Sequence, residues 1–383
     1  MKSLLPISLI FAALTLTMAS PMNFKQASTN QGPIVIPLKR NSVGAPDAKS
    51  GFKGLVVDPV PLNNQTNNQI VFYSATVSIG TPPVNFELVI DTGSQDTWVV
   101  SANCTSGACL GRTPFYPGNS STVLEQYWNF AYTFGEGDTV SGDIYTDVVT
   151  LDNTAVTSQS FGVATSLLTP NSAIPGDGIL AFPATDLSNP SFFEAYFENA
   201  YQFSNLTKYM FSLYMPRSGT GELLLGGLND SHFTGSLTYL PVESAMTQWQ
   251  VAIADVAYHK RSLGISLMAT IASANSLIQL DRQSANVFYN AIPGANRVSP
   301  TRWSVPCNQI ANVTMTMGGV EFQIPATSIS QGPVSVGSNQ CLSAIAGGAK
   351  TGQATLGMAF LENHYVVFDK STIPFRIGLG TIA

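Results

Sequence analysis

From about residue 70 to its end, the chain alternates short apolar runs with polar punctuation. Runs rich in Val, Ile, Thr, Phe and Tyr, such as Phe86–Ile90, Asp147–Leu151, Glu222–Leu225 and Tyr365–Phe368, are set apart by Gly, Pro, Asn and Asp. β-Branched and aromatic side chains suit a pleated, half-buried surface, and the punctuating residues supply turns, so the pattern predicts many short strands. Helical periodicity is confined to short stretches, best at Pro190–Asn199 and Ser284–Ala291. The expected class is all-β. A coarse duplication is also visible. Near residue 90 and again near residue 270, an apolar strand runs into a turn holding Ser or Thr.

The first 66 residues break this pattern. In residues 1–20 a single Lys2 precedes an apolar run, and small residues follow at Ala19 and Ser20. This is the layout of a secretory signal peptide, assigned to residues 1–19. The run is shorter than the ~20 apolar residues of a membrane span. Residues 20–66 mix Asn, Gln, Pro and Lys with brief apolar stretches such as Ile34-Val35-Ile36, and read as a partly flexible propeptide. The expectation is a secreted, extracellular monomer with no membrane contact after signal removal.

Charge sharpens that division. Only 10% of the 383 residues are charged, against ~25% in a typical domain. Disorder is not the reason, because 44% are hydrophobic and 10% aromatic. Six of the 17 basic residues (Lys2, Lys25, Lys39, Arg40, Lys49 and Lys53) but only one acid, Asp47, lie in residues 1–53. The remainder carries 11 basic and 22 acidic side chains, a net of −11. A basic arm thus precedes an acidic body, which argues against nucleic-acid partners. In strong acid the carboxylates neutralise and few cations remain, so self-repulsion stays modest and the composition suits acid conditions.

Secretion gives the cysteines and asparagines a reading. Four cysteines allow three pairings, of which proximity favours Cys104–Cys109 with Cys307–Cys341. Asn64, Asn103, Asn119, Asn205, Asn229 and Asn312 begin N-x-S/T sequons and are candidate glycan acceptors. His232, His259 and His364 are scattered and show no metal-ligand spacing, so surface or loop roles are expected. Ser218-Gly219-Thr220-Gly221 precedes a strand rather than opening a helix, unlike a phosphate loop. No metal and no cofactor are expected.

The candidate chemistry sits at Asp91. It ends an apolar strand and is followed by Thr92-Gly93-Ser94, then Trp98-Val99-Val100-Ser101. Burying a carboxylate there costs free energy unless hydrogen bonds satisfy it. Gly93 permits a tight turn, and Thr92 and Ser94 bring hydroxyls that can orient the acid. The surroundings are more specific than the tripeptide. Tyr73 and Ile79-Gly80-Thr81-Pro82 precede it, and Cys104 and Cys109 follow. Later come Gly226-Gly227, Trp249-Gln250-Val251, Cys307 and Cys341, Leu356-Gly357, Tyr365 with Phe368-Asp369, and Ile377-Gly378. Across residues 57–383 this text resembles the pepsin-like aspartic peptidase family, in its secreted, fungal-type form.

The resemblance implies a bilobal β fold, two β-barrel-like lobes with a cleft between them. The N-terminal lobe is expected at residues 67–245 and the C-terminal lobe at 246–383, each giving one Asp to the cleft. One carboxylate of the pair, ionised, takes a proton from water; the other, protonated, polarises the scissile carbonyl. Two such charges ~3 Å apart cannot both ionise, so they titrate as a unit. A flap is expected at residues 130–142.

Three departures cluster at that expected cleft. The second Asp position falls at Ala272, in Ile271-Ala272-Ser273-Ala274-Asn275-Ser276, with Ala274 at the turn glycine. Ser273 and Ser276 keep hydroxyls there, as active-site support alongside Thr92, Gly93 and Ser94. Asp281 is the nearest acid, nine residues on, and is expected to cap a helix instead. In the flap, Phe134-Gly135-Glu136-Gly137 carries Phe where the family has Tyr, removing a hydroxyl that would reach toward Trp98; Tyr132 is two residues away on the same strand face. Finally, Ala181-Phe182 follows Asp177-Gly178-Ile179-Leu180 where the family has Gly. The expected function is a catalytically impaired aspartic endopeptidase homologue with Asp91 alone, binding extended peptide or protein in the cleft. Two alternatives stand beside it: an active acid endopeptidase cleaving proteins, and a non-enzymatic inhibitor or binding protein on the same scaffold. In the family a propeptide Lys can pair with the catalytic acids, and Lys49 and Lys53 are the candidates.

Overall fold

A computed structural model describes residues 32–44, 69–134, 138–168, 176–185, 194–204, 206–243 and 248–383. The expected signal peptide, most of the expected propeptide with Lys49 and Lys53, the sequons at Asn64 and Asn205, and the expected flap-tip residues Gly135, Glu136 and Gly137 lie outside the described residues, as does the Phe134 side chain. The expected junction between lobes at 245–246 does so too.

The molecule is all-β and bilobal. Strands β1 (Ile34–Gly44), β2 (Gln69–Ile79), β3 (Val84–Asp91), β4 (Trp98–Val100), β5 (Leu124–Phe134), β6 (Asp138–Leu151), β7 (Thr154–Leu168) and β8 (Gly178–Ala181) lead into helix α1 (Tyr196–Phe203). Strands β9 (Met210–Tyr214), β10 (Gly221–Leu225), β11 (Phe233–Pro241) and β12 (Gln250–Ile253) follow. A 13-stranded sheet runs from β11 through Arg376–Ile382, His364–Asp369, β9, β10, β1, β2, β3, β8, β4, β7 and β6 to β5. A five-stranded sheet holds β12, Leu267–Ile271, Gln353–Leu356, Ile278–Asp281 and Ile345–Ala349.

Helix α1 starts later and runs further than the helix expected at Pro190–Asn199. Its buried side chains Tyr196, Phe197 and Ala200 share one face, and that packing sets its extent. Helix α2 (Arg282–Asn290) falls close to the expected segment.

Strand β1 lies inside the segment read as a partly flexible propeptide, yet it is central to the large sheet. Ile34–Leu38 pair antiparallel with β10, and Lys39–Gly44 pair with β2. Side chains alternate: Ile36 and Leu38 are buried while Val35, Pro37 and Lys39 are exposed. Burying two such side chains contributes on the order of 1.5–3 kcal/mol each.

The duplication seen in the sequence has a structural counterpart. β3 pairs parallel with β8, and β4 pairs antiparallel with the other edge of β8. In the second half Leu267–Ile271 pairs parallel with Gln353–Leu356, and Ile278–Asp281 pairs antiparallel with it. Each unit sends a strand into a short loop that crosses over its neighbour. Gly357 permits the crossing in the second unit, where an added Cβ would meet Asn275 O of the loop at 2.2 Å; Gly178 lets β8 lie close to β4, where a Cβ would meet Trp98 O at 2.0 Å. The two loops, 91–94 and 272–276, face each other between the lobes.

Candidate active site

Asp91 is the last residue of β3 and is 6% exposed. Its Oδ1 accepts the Gly93 N–H at 2.8 Å and its Oδ2 accepts the Ser94 hydroxyl at 2.5 Å. Backbone N–H groups of Ala274 and Ser94 also bond the carboxylate. Burial pushes its pKa above the ordinary carboxylate value, and these donors only partly pull it back. Phe182 N donates to the Asp91 carbonyl at 2.8 Å, and Trp249 Nε1 donates to the Phe182 carbonyl at 2.8 Å. The acid is thus held by its own loop, by the facing loop, and by a buried aromatic support behind it. Ala181 and Phe182, which stand where Gly was expected, are fully buried in that support.

The two loops are locked by a reciprocal exchange. Thr92 N donates to Ser273 Oγ at 3.1 Å, and Ser273 N donates to Thr92 Oγ1 at 3.2 Å. Each hydroxyl then donates onward to the opposite strand: Thr92 Oγ1 to Ile271 O at 2.8 Å, Ser273 Oγ to Ile90 O at 2.7 Å. Thr92 and Ser273 are therefore equivalent positions, and so are the residues before them, Asp91 and Ala272. A Cβ placed on Gly93 would lie 2.9 Å from the Ala272 methyl and 3.2 Å from Asp91 Oδ1. The methyl group and the carboxylate flank the same small space. Ser276 completes the support on its side: its Oγ accepts from Val71 N and donates to Val71 O, both at 3.0 Å, tying the loop to β2.

Asp281 is engaged elsewhere. It caps α2, its Oδ1 accepting Ser284 N–H and its Oδ2 accepting Gly352 N–H, both at 2.7 Å. Burial raises its carboxyl, but these hydrogen bonds outweigh burial and leave it below the ordinary value.

Trp98 is buried in an apolar cluster with Val89, Phe130, Val140 and Ile179, against which Tyr132 and Ala274 pack. Burial raises the Tyr132 hydroxyl to about 12, with further upward push from the charges of Asp91 and Asp96. Tyr132 thus brings a phenol within electrostatic reach of Asp91. Asp96 is a residue the sequence reading passed over. Burial raises its carboxyl too. The available signal was its place five residues after Asp91 and two before a buried Trp, in a run without other charge.

The disulfides Cys104–Cys109 and Cys307–Cys341 are both formed. Asn103, Asn119 and Asn312 are exposed. Asn229 differs: its side chain accepts from Ser231 N at 3.1 Å and donates to Glu222 at 3.2 Å, capping a short turn. One expectation is corrected. His364 is not a surface or loop residue but is 2% exposed inside the strand His364–Asp369, where burial lowers its pKa to about 4. Stacking on Phe360, at 4.2 Å between ring centroids, accounts for its place in the core. Among the described residues no cluster of His, Cys, Asp or Glu could hold a metal ion, and no helix is long and apolar enough to cross a membrane.

The raised pKa of Asp91 has a stability consequence. A carboxyl whose folded pKa exceeds its unfolded value near 3.8 keeps a proton that the unfolded chain releases. Stability is then lost as pH rises from about 3.8 through the folded pKa. Asp91→Asn has no such proton and can keep the Ser94 contact with the hydroxyl reversed. Melting at pH 7 should therefore show the variant more stable than the parent, with the gain vanishing below about pH 3.8. A less stable variant at pH 7 would contradict this account of Asp91.

A family profile described as "Eukaryotic aspartyl protease" matches residues 72–381. The chain is 31% identical over 340 residues to "Embryonic pepsinogen" of Gallus gallus, covering 85% of this chain and 84% of the relative. It is 31% identical over 320 residues to "Aspartic protease" of Phaffia rhodozyma, covering 79% and 77%. It is 29% identical over 309 residues to "Endothiapepsin" of Cryphonectria parasitica, covering 79% and 73%. The fold, the two crossing loops and these similarities agree: the chain belongs to the eukaryotic aspartyl protease family, the pepsin-like aspartic endopeptidases.

Proposed function

We propose that this protein is a secreted, catalytically impaired member of the family that holds an extended peptide or protein segment in its cleft without efficient hydrolysis. The observation that carries the reading is the pairing of Asp91 with the Ala272 methyl across the Thr92–Ser273 exchange. Hydrolysis by this family's chemistry needs a base for the water and an acid for the carbonyl at the same moment. A single carboxylate can be one or the other. A positioned general acid or base supplies roughly 10²–10⁴-fold in rate, so its loss leaves little turnover. Binding draws on different groups, backbone hydrogen bonds to an extended segment and apolar side chains along a cleft, neither of which needs a second acid. The site residues Thr92, Gly93, Ser94, Ser273 and Ser276 then act as scaffold around one acid.

The test is digestion of a denatured protein at about pH 2–5. Turnover near that of an ordinary family member, abolished by Asp91→Ala, would overturn the reading in favour of an active endopeptidase. The purified precursor held at about pH 3 should likewise fail to remove its own N-terminal segment, because self-removal needs the same pair of acids. Maturation would then require another protease.

A further inference from the structure

A cavity of about 670 Å³ lies where β1 meets the C-terminal half of the chain, bordered on one side by Val71 and by Ser276 of the 272–276 loop. Its charged walls are Arg40 from β1, Arg217 and Glu362, with Thr327, Ser328 and Gln331 as polar neighbours. Arg40 interacts with the Tyr73 hydroxyl, which in turn donates to the Pro216 carbonyl next to Arg217. The Arg40 Nε is closed off from solvent and has no hydrogen-bond partner among the described residues. Arg217 is loosely held: its Nη1 is 3.7 Å from Glu362 Oε1 and 3.5 Å from Ser328 Oγ, and its side chain is half exposed. Two guanidinium groups therefore border one polar cavity with a single carboxylate between them.

A guanidinium presents a planar fork of donors that matches the oxygens of a carboxylate or phosphate. The closed-off Arg40 Nε takes no part, and the recognition rests on the two guanidinium groups that border the cavity. We propose that this cavity binds a small oxyanion, a carboxylate- or phosphate-bearing molecule, between Arg40 and Arg217, and that the site is complete only while β1 remains in the sheet. Glu362 is the built-in competitor. At 3.7 Å from Arg217 Nη1 its carboxylate is beyond hydrogen-bond distance, so a ligand oxygen can come closer to the guanidinium.

The experiment is calorimetric titration of the full precursor with inorganic phosphate and, separately, with succinate, which distinguishes the two oxyanion types. Arg217→Gln should weaken binding at least about tenfold, the effect of one charge-assisted hydrogen bond. Arg40→Gln should do the same. Glu362→Gln should tighten it several-fold, because the competing carboxylate is gone. Bound ligand should also raise the melting temperature of the parent. Should Arg40→Gln disturb β1, the opposite signs expected for Arg217→Gln and Glu362→Gln still test the proposal. Failure of both probes to bind at ten-millimolar concentration, or binding indifferent to Arg217→Gln and Glu362→Gln, would overturn it.

Discussion

Replacing Ala272 by Asp and Ala274 by Gly together should raise peptide hydrolysis at about pH 2–5 by at least ~10²-fold over the parent protein. The loops are already positioned for it. The Thr92–Ser273 exchange fixes residue 272 opposite Asp91, and Trp249, Phe182 and the Asp91 carbonyl form a continuous hydrogen-bonded support. The second change is needed because of the crowding seen on the other side. A Cβ on Gly93 would stand 2.9 Å from residue 272 and 3.2 Å from Asp91 Oδ1. Since Thr92 and Ser273 are equivalent, Ala274 stands at the position equivalent to Gly93, and Gly there leaves room for a new carboxylate at residue 272. Two acids in this space cannot both ionise, so one keeps a proton, and hydrolysis should fall as pH rises and the shared proton is lost. Ala272→Asn with Ala274→Gly has the same shape without the acid and should show no gain. Adding Asp91→Ala to the active pair should abolish it. A folded, peptide-binding double variant with no gain would move the defect beyond residue 272, to Phe134 of the flap or to the buried Ala181-Phe182 step.

Much of this geometry was legible in the chain. Alternating apolar runs gave the strands, and an Asp at the end of one of them marked the first loop. The run Ile271-Ala272-Ser273 set the expectation for the second Asp position, and the Ala272 methyl lies beside the Asp91 loop, 2.9 Å from where a Cβ on Gly93 would stand. Asp281 could be assigned a cap because a carboxylate directly before a helical period has a local use. Other features depended on contacts between distant segments. Nothing local shows that Ile34–Gly44 is clamped by β10 on one side and β2 on the other, since its partners lie up to about 190 residues away. His364 looked like a loop residue because its burial comes from Phe360 and Phe322, whose rings approach only in the folded core. Asp96 and Tyr132 likewise acquire their raised pKa values from burial that no single segment displays.

Lys370→Met should destabilise the protein by about 3–5 kcal/mol at neutral pH, the cost of leaving a buried charge without its partner. Lys370 Nζ is fully buried against Glu198 of α1, and it also donates to Thr185 O at 2.7 Å. Phe197, Tyr209, Trp249 and Phe375 surround the ammonium at 5.5–5.8 Å. These rings retain an apolar replacement, so packing is largely kept and the loss is electrostatic. Burial already raises the Glu198 carboxyl, and Lys370 is the largest influence holding it down. Without Lys370 its folded pKa climbs further above its unfolded value. The variant therefore loses stability as pH rises through that interval, and its deficit should shrink below about pH 4, where Glu198 is protonated in both states. Converting both residues, Lys370→Met with Glu198→Leu, removes the two desolvated charges at once and should recover most of the loss. Denaturant melts of parent, single and double variants at pH 7 and pH 3.5 decide it. Equal losses in the single and double variants at both pH values would assign the cost to the ammonium's contacts with the rings and with Thr185 O instead of to the stranded carboxylate.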